Sequence, residues 1–112
     1  MLLGVIGLAI GIGLGFVFPG YFPETLSDYM GVMLIACADS IIGGLRARAL
    51  GEYNDSIFIS GFFINALLAA AMTYFGKRIN VQLELAAMVV FATRIFQNLA
   101  ILRRNLLNLN AE

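Results

Sequence analysis

Four apolar segments of helical length alternate along the chain with short stretches that are polar or rich in turn-forming residues. A helix that crosses a bilayer needs about 17–25 mostly apolar residues, and each segment lies within that range. The pattern therefore predicts an all-α, polytopic integral membrane protein in which residues 1–112 form a single domain, a four-helix transmembrane bundle. The predicted helices cover residues 2–18, 29–48, 56–76 and 81–102.

The stretches between these segments have the composition of turns and helix ends. Pro19 and Pro23 interrupt the chain after the first segment, and the run GEYND at residues 51–55 predicts a turn before the third. Ser56 is a candidate cap for the third helix, and Gly76 is well placed to end it.

The composition agrees with a membrane location. Hydrophobic residues make up 61% of the chain and charged residues 12%, whereas soluble domains are about half apolar and about a quarter charged. Seven basic residues balance seven acidic ones, so no excess of positive charge points to nucleic acid. The chain has no His and a single Cys, which removes the usual general base and most ligands for a soft metal. We therefore expect no enzymatic activity, no cofactor and no metal.

Basic residues in short loops indicate the orientation, because they are enriched on the cytoplasmic side of the membrane. With the N-terminus inside, four arginines lie on the cytoplasmic side, and Lys77 and Arg78 lie outside. The four are Arg46, Arg48, Arg103 and Arg104. This excess favours a cytoplasmic N-terminus and a cytoplasmic C-terminus.

Three of the apolar segments carry a charged or amide residue near the middle, namely Asp39, Asn65 and Arg94. Asp39 comes ten residues after Tyr29, and Arg94 comes ten residues after Glu84. At about 1.5 Å per residue both lie ~15 Å into a core of ~30 Å. We therefore expect Asp39 and Arg94 to pair, with the Asn65 amide able to bridge the carboxylate and the guanidinium.

Further polar residues share the predicted inward faces of these helices. Gln97 and Asn98 lie three and four residues after Arg94, which places all three on one face. The predicted mid-membrane polar cluster consists of Asp39, Ser40, Arg46, Asn65, Arg94, Gln97 and Asn98. Ionisable residues inside a membrane are a functional-site hypothesis by default. The cluster is open to three interpretations. Its polar groups could satisfy one another and fix the helix register, which we call a structural lock. They could instead form a site for a small ligand, proton or ion, or a surface that docks a polar residue of a partner's helix.

The first segment carries Gly4, Gly7, Gly11 and Gly15, whose spacings of three and four place them on one helical face. The last three form a doubled small-xxx-small motif, which lets a second helix approach closely. We refer to these four residues as the glycine face. The motif is compatible with tight packing inside the monomer and with a seam for a second copy or another partner.

Three segments carry patterns that are specific when taken together. They are CADSIIGGLRA at residues 37–47, FISGFFINALLAA at 58–70 and FATRIFQNLAILRR at 91–104. These patterns resemble the small basic protein family of bacterial integral membrane proteins, and the resemblance extends from the glycine-rich first segment to Arg104. It implies a plasma-membrane protein without a known biochemical activity, often encoded near cell-division and envelope genes of Gram-positive bacteria. The chain itself is not net basic.

The most direct functional prediction is a non-enzymatic scaffold or accessory subunit, which the resemblance links to the division or envelope machinery. The alternative is a small transporter or channel component in which Asp39, Asn65 and Arg94 line a path. A transporter needs a water-filled cavity that reaches Asp39 from one side. A scaffold needs a dry centre whose polar groups bond to one another, and an exposed face of small residues. The expected partners are the lipid bilayer and other membrane proteins or a second copy, and no nucleic acid.

Overall fold

A computed structural model confirms the all-helical fold. It describes residues 1–17, 20–21 and 23–111, and in these ranges the chain forms four helices and no strand. The helices are α1 (Leu2–Val17), α2 (Glu24–Ala49), α3 (Asp55–Ile79) and α4 (Leu83–Ala111). Two predictions fall outside the described residues. They are the end of the first helix at residue 18 and the interruption of the chain at Pro19.

Three of the helices are long and apolar enough to cross a membrane. The spans are Leu26–Ala49 in α2, Asp55–Ile79 in α3 and Leu83–Asn108 in α4. The apolar helix α1 has 16 residues and is shorter than these spans. The fold is therefore that of a polytopic membrane protein with three helices of spanning length and one shorter apolar helix.

The long helices extend beyond the apolar segments that predicted them. α2 begins at Glu24, five residues before the predicted start, directly after Pro23. The Pro23 carbonyl accepts hydrogen bonds from the backbone N–H groups of Leu26 and Ser27, and an acidic residue in the first turn suits the helix dipole. α4 likewise continues to Ala111, past the predicted end at residue 102. Polar residues in the end turns of a helix interrupt the apolar pattern, so the pattern underestimates the helix lengths.

The ends of α3 differ from the prediction in their chemistry. Asn54 rather than Ser56 caps the helix, because the Asn54 side chain accepts hydrogen bonds from the backbone N–H groups of Ser56 and Ile57. The helix also passes through Gly76 and ends at Ile79, and the following cap residue Asn80 adopts the left-handed conformation with φ 58° and ψ 38°. Gly76 is buried instead, and the chain that leads into α4 packs directly on it.

α2 is the central helix and packs against each of the other three. It runs from the far end of the bundle, where Lys77 binds Asp28, to the loop end, which holds residues 50–54. α3 returns to the far end, and α4 runs back to the loop end. A buried apolar cluster lies in the half of the bundle toward the far end; it consists of Val32, Ala36, Ala69, Ala87 and Phe91.

α1 lies along the outside of this three-helix core, antiparallel to α2. Met1 lies beside Gly44, and Gly4 lies beside Ile41 and Phe58. None of the α1 side chains is buried by the described part of the chain. α1 is therefore attached along one side and open along the rest of its surface.

Candidate functional site: a one-ended polar cleft

A cleft of ≈ 370 Å³ lies between α2, α3 and α4 in the half of the bundle toward the loop end. All members of the predicted polar cluster line it: Asp39, Ser40, Arg46, Asn65, Arg94, Gln97 and Asn98. Residues of the loop and of the first turns of α3 also line it, among them Glu52, Tyr53, Asn54, Ile57, Phe58 and Phe62. The seven residues thus surround one space that extends from Asp39 to the loop end.

Asp39 and Arg94 form an ion pair at the deep end of this cleft. Nη2 of Arg94 lies 3.4 Å from Oδ2 of Asp39, which is longer than a charge-assisted hydrogen bond of about 2.7–2.9 Å. The Asp39 side chain is 0% exposed and the Arg94 side chain is 50% exposed. Neither carboxylate oxygen of Asp39 has a hydrogen-bond partner among the described residues. The deep end of the cleft therefore holds a buried acceptor with unused capacity.

Two side-chain hydrogen bonds connect α2 to its neighbours along the cleft. Nδ2 of Asn65 donates to Oγ of Ser40 at 3.0 Å, so this amide joins α3 to α2 rather than bridging the Asp39–Arg94 pair. Nη1 of Arg46 donates to Oδ1 of Asn98 at 3.2 Å. Gly43 lies beside this bond, and a Cβ on it would be 3.6 Å from Nδ2 of Asn98.

The cleft also opens sideways between α3 and α4. The buried residues of α3 are Ala69, Thr73 and Gly76, which all lie toward the far end. On α4, Arg94 and Gln97 are exposed although both line the cleft. α3 and α4 are therefore packed together at the far end and separated along the cleft.

The half of the bundle beyond Asp39 is closed by the apolar cluster. The polar residue Thr73 lies within this half, and its hydroxyl donates to the backbone carbonyl of Ala69 in its own helix at 2.8 Å. At the far end, Nζ of Lys77 lies 2.9 Å from Oδ2 of Asp28. The polar cleft is therefore closed beyond Asp39 and extends from there toward the loop end.

Glycines produce both the close packing and the space around the cleft. A Cβ on Gly44 would lie 3.0 Å from the Phe58 ring, so α2 and α3 pack tightly at this point. A Cβ on Gly61, by contrast, would meet no described atom within 4 Å. The run DSIIGG at residues 39–44 therefore contributes a helix contact as well as polar groups.

Sequence reasoning did not identify the loop as part of the site. Tyr53 packs on Phe58 with ring centroids 6.1 Å apart, and the Arg48 guanidinium lies 5.2 Å from the Tyr53 ring centroid. Burial raises the pKa of the Tyr53 hydroxyl, and the Asp55 carboxylate raises it further, so the hydroxyl stays protonated at neutral pH. A turn-forming sequence gives no indication that the loop lies over a cleft.

The glycine face contributes little to packing within the chain. A Cβ on Gly4 would lie 3.4 Å from the Phe58 ring, whereas Gly7, Gly11 and Gly15 would meet no described atom within 4 Å. Apolar grooves of ≈ 520 and ≈ 750 Å³ flank α1. Packing inside the monomer therefore accounts for Gly4 alone.

These features define a small helical membrane protein with a one-ended polar cleft. The model of the family described as "Protein of unknown function (DUF1290)" matches residues 22–107, which include the whole cleft. The chain belongs to this family.

Curated relatives agree with this assignment. The "Small basic protein" of Bacillus subtilis (strain 168) is 41% identical over 107 residues, covering 96% of this chain and 88% of the relative. The "Uncharacterized protein Rv1824" of Mycobacterium tuberculosis (strain ATCC 25618 / H37Rv) is 39% identical over 107 residues, covering 94% of this chain and 88% of the relative. The resemblance to the small basic protein family is thus confirmed. No solved structure matches the chain significantly.

Proposed function

We propose that the chain is a non-enzymatic scaffold or accessory subunit of the bacterial plasma membrane that docks another membrane helix on its glycine face. The observation that carries this proposal is the open surface around Gly7, Gly11 and Gly15. α1 is long enough to hold two turns of a partner helix against these residues, and both flanking grooves are apolar.

The physical argument rests on what glycine contributes to a helix. Gly costs roughly 0.5–1 kcal/mol relative to Ala in the middle of a soluble helix, and it offers little surface to lipid. It becomes favourable in a membrane where two helix backbones approach each other closely. Because the described chain leaves three of the four glycines uncovered, a helix from outside the chain would supply the missing contact.

The family resemblance suggests the kind of partner, and the charge distribution suggests the orientation in the membrane. The resemblance suggests a component of the division or envelope machinery, and a second copy of the chain is also compatible with the motif. Arg103 and Arg104, near the end of the α4 span, would anchor the cytoplasmic end beside anionic lipid headgroups. Both termini would then be cytoplasmic. The absence of His from the sequence supports a non-enzymatic role.

Site-directed photo-crosslinking in native membranes tests the docking. A photoreactive residue at Gly11 should give one protein adduct of defined mass, and Gly7→Leu in the same chain should suppress it. A photoreactive residue at Val89, which is exposed on α4 away from both grooves, is the matched control and should give no such adduct. Adducts with lipid alone at Gly11, or equal protein adducts at Val89, would contradict docking on the glycine face.

The cleft supports a second candidate, a small transporter or channel component. The cleft extends from the loop end to Asp39, which has unused acceptor capacity. Transport would require the apolar cluster on the other side of Asp39 to open, or a second chain to complete the path. The water accessibility of cysteines along the bundle distinguishes these cases.

A further inference from the structure

We propose that the polar cleft binds the phosphodiester headgroup of an anionic membrane lipid that carries free hydroxyl groups. Arg46 and Arg94 would hold the phosphate, and Asp39 would accept a hydrogen bond from a headgroup hydroxyl. This binding site is separate from the glycine face, so its failure would leave the proposed docking function intact, and the converse also holds.

The first support is the charge balance of the cleft within the span. Two guanidinium groups, those of Arg46 and Arg94, face one carboxylate, that of Asp39. Glu52, the other acidic group of the lining, lies in the loop after α2 has ended. The part of the cleft within the span thus carries one excess positive charge, which attracts an anion. One bound monoanion would neutralise it.

The second support is the placement of the two guanidinium groups. Arg46 donates to Asn98, and Asn98 follows Arg94 by about one helical turn on α4. Both groups therefore lie along the wall between α2 and α4. Each guanidinium has five N–H donors in a planar fork that matches a phosphate group, and most of these donors are not used by the contacts described above.

The third support is the Asp39 carboxylate, which is paired with Arg94 at 3.4 Å but accepts no hydrogen bond from a described residue. An ionised carboxylate only accepts hydrogen bonds, so the ligand group that reaches it must be a donor. A bare phosphate would be repelled by Asp39 and would leave both of its buried oxygens unsatisfied. A headgroup that combines a phosphate with hydroxyls satisfies the arginines and the carboxylate together.

The position of the cleft favours a lipid over a free phosphate compound. The cleft opens laterally between α3 and α4, and Ile57, Phe58 and Phe62 give it an apolar wall. Arg46 lies three residues before the end of α2 at Ala49, about 4.5 Å along the helix. Lipid headgroups therefore lie within reach of Arg46, while acyl chains stay in the bilayer.

Native mass spectrometry of the purified full chain in detergent tests the proposal with defined lipids. Phosphatidylglycerol should bind more tightly than phosphatidylcholine with the same acyl chains. The variants Arg46→Gln and Arg94→Lys should each weaken phosphatidylglycerol binding roughly tenfold or more. Arg94→Lys keeps a charge beside Asp39, so the variant is expected to fold, which circular dichroism verifies.

The matched control is the double variant Arg103→Gln/Arg104→Gln, which removes two positive charges outside the cleft. It should leave the preference for phosphatidylglycerol unchanged. If this control loses the preference while the folded Arg46→Gln and Arg94→Lys variants retain it, lipid binding takes place at the end of α4 and the proposal is overturned.

Two further arms test the role of Asp39 and the source of the phosphate. Phosphatidylmethanol, an anionic phosphodiester without a free hydroxyl, should bind more weakly than phosphatidylglycerol, and Asp39→Asn should reduce this difference. Soluble glycerol 3-phosphate at the lipid's concentration should not displace it. Equal binding of phosphatidylglycerol and phosphatidylcholine to the wild-type chain, or displacement by glycerol 3-phosphate, would overturn the proposal.

Discussion

The charged atoms of Asp39 and Arg94 lie 3.4 Å apart between α2 and α4, yet the first side chain is completely buried and the second is half exposed. The pair marks the boundary between the two halves of the bundle. Beyond it, toward the far end, the core is apolar. Toward the loop end the cleft is polar and open. Because the two partners differ in burial, we expect their substitutions to lower the stability of the fold by different amounts.

Loss of Arg94 should destabilise the fold more than loss of Asp39. Arg94→Gln leaves a buried carboxylate without its cation, which we expect to lower the free energy of unfolding by on the order of 3 kcal/mol. Asp39→Asn leaves the Arg94 guanidinium half exposed in the cleft rather than buried, so its effect should be smaller. Thermal unfolding in detergent, followed by circular dichroism, measures both.

The double variant Asp39→Asn/Arg94→Gln is the control for this comparison. It removes both charges and should be more stable than Arg94→Gln alone. Equal destabilisation by the two single variants, with no recovery in the double variant, would show that the ion pair does not determine the stability of this region.

Adjacent glycines on α2 should respond differently to substitution by alanine. A Cβ on Gly44 would lie 3.0 Å from the Phe58 ring and 3.1 Å from Sδ of Met1, so Gly44→Ala should lower the free energy of unfolding by about 1 kcal/mol or more. A Cβ on Gly43 would meet Nδ2 of Asn98 at 3.6 Å, an ordinary contact. Gly43→Ala should therefore be tolerated, and a larger effect there than at Gly44 would be inconsistent with the packing.

Gly76 should tolerate no side chain, although it lies inside a helix. A Cβ there would overlap the backbone carbonyl oxygen of Val81 and lie 3.0 Å from the Leu83 nitrogen. Because backbone atoms cannot move aside as a side chain can, Gly76→Ala should lower the free energy of unfolding by roughly 1–3 kcal/mol. Gly61→Ala on the same helix, with open space around it, is the matched control. Similar unfolding temperatures for both variants would contradict this arrangement.

The ion pair at the far end should contribute little to stability. The side chains of Lys77 and Asp28 are 33% and 48% exposed, and exposed pairs contribute about 0.2–1 kcal/mol. Lys77→Met should therefore lower the free energy of unfolding only slightly, and the exchange Lys77→Asp/Asp28→Lys should keep most of the wild-type stability. A loss of stability by Lys77→Met as large as that of Arg94→Gln would show that this pair stabilises the fold far more than its exposure indicates.

Periodicity and depth predicted the fold class and the members of the polar cluster from the sequence. Equal depths along two helices running in the same direction placed Asp39 beside Arg94, and the structure pairs them. The Ser40–Asn65 bond and the open end of the cleft could not be predicted, because they depend on how far α3 separates from α4. Helix ends such as Asn54 depend on single backbone hydrogen bonds, which an apolar pattern does not detect.

The most direct test of the one-ended cleft is the water accessibility of cysteines placed along the bundle. In a Cys37→Ala background, cysteines at positions 65 and 97 lie in the cleft, and cysteines at 69 and 87 lie in the apolar half. A membrane-impermeant thiol reagent is applied to one side of the membrane at a time. A cysteine at position 54 reports reactivity at the loop end.

We predict that positions 65 and 97 react from the same side as position 54, and that positions 69 and 87 react from neither side. Failure of positions 65 and 97 to react, with normal reaction at position 54, would show that water does not reach the polar centre. That result would contradict an open cleft. Reaction at 69 or 87 from the opposite side would show a continuous path through the bundle and support the transport alternative.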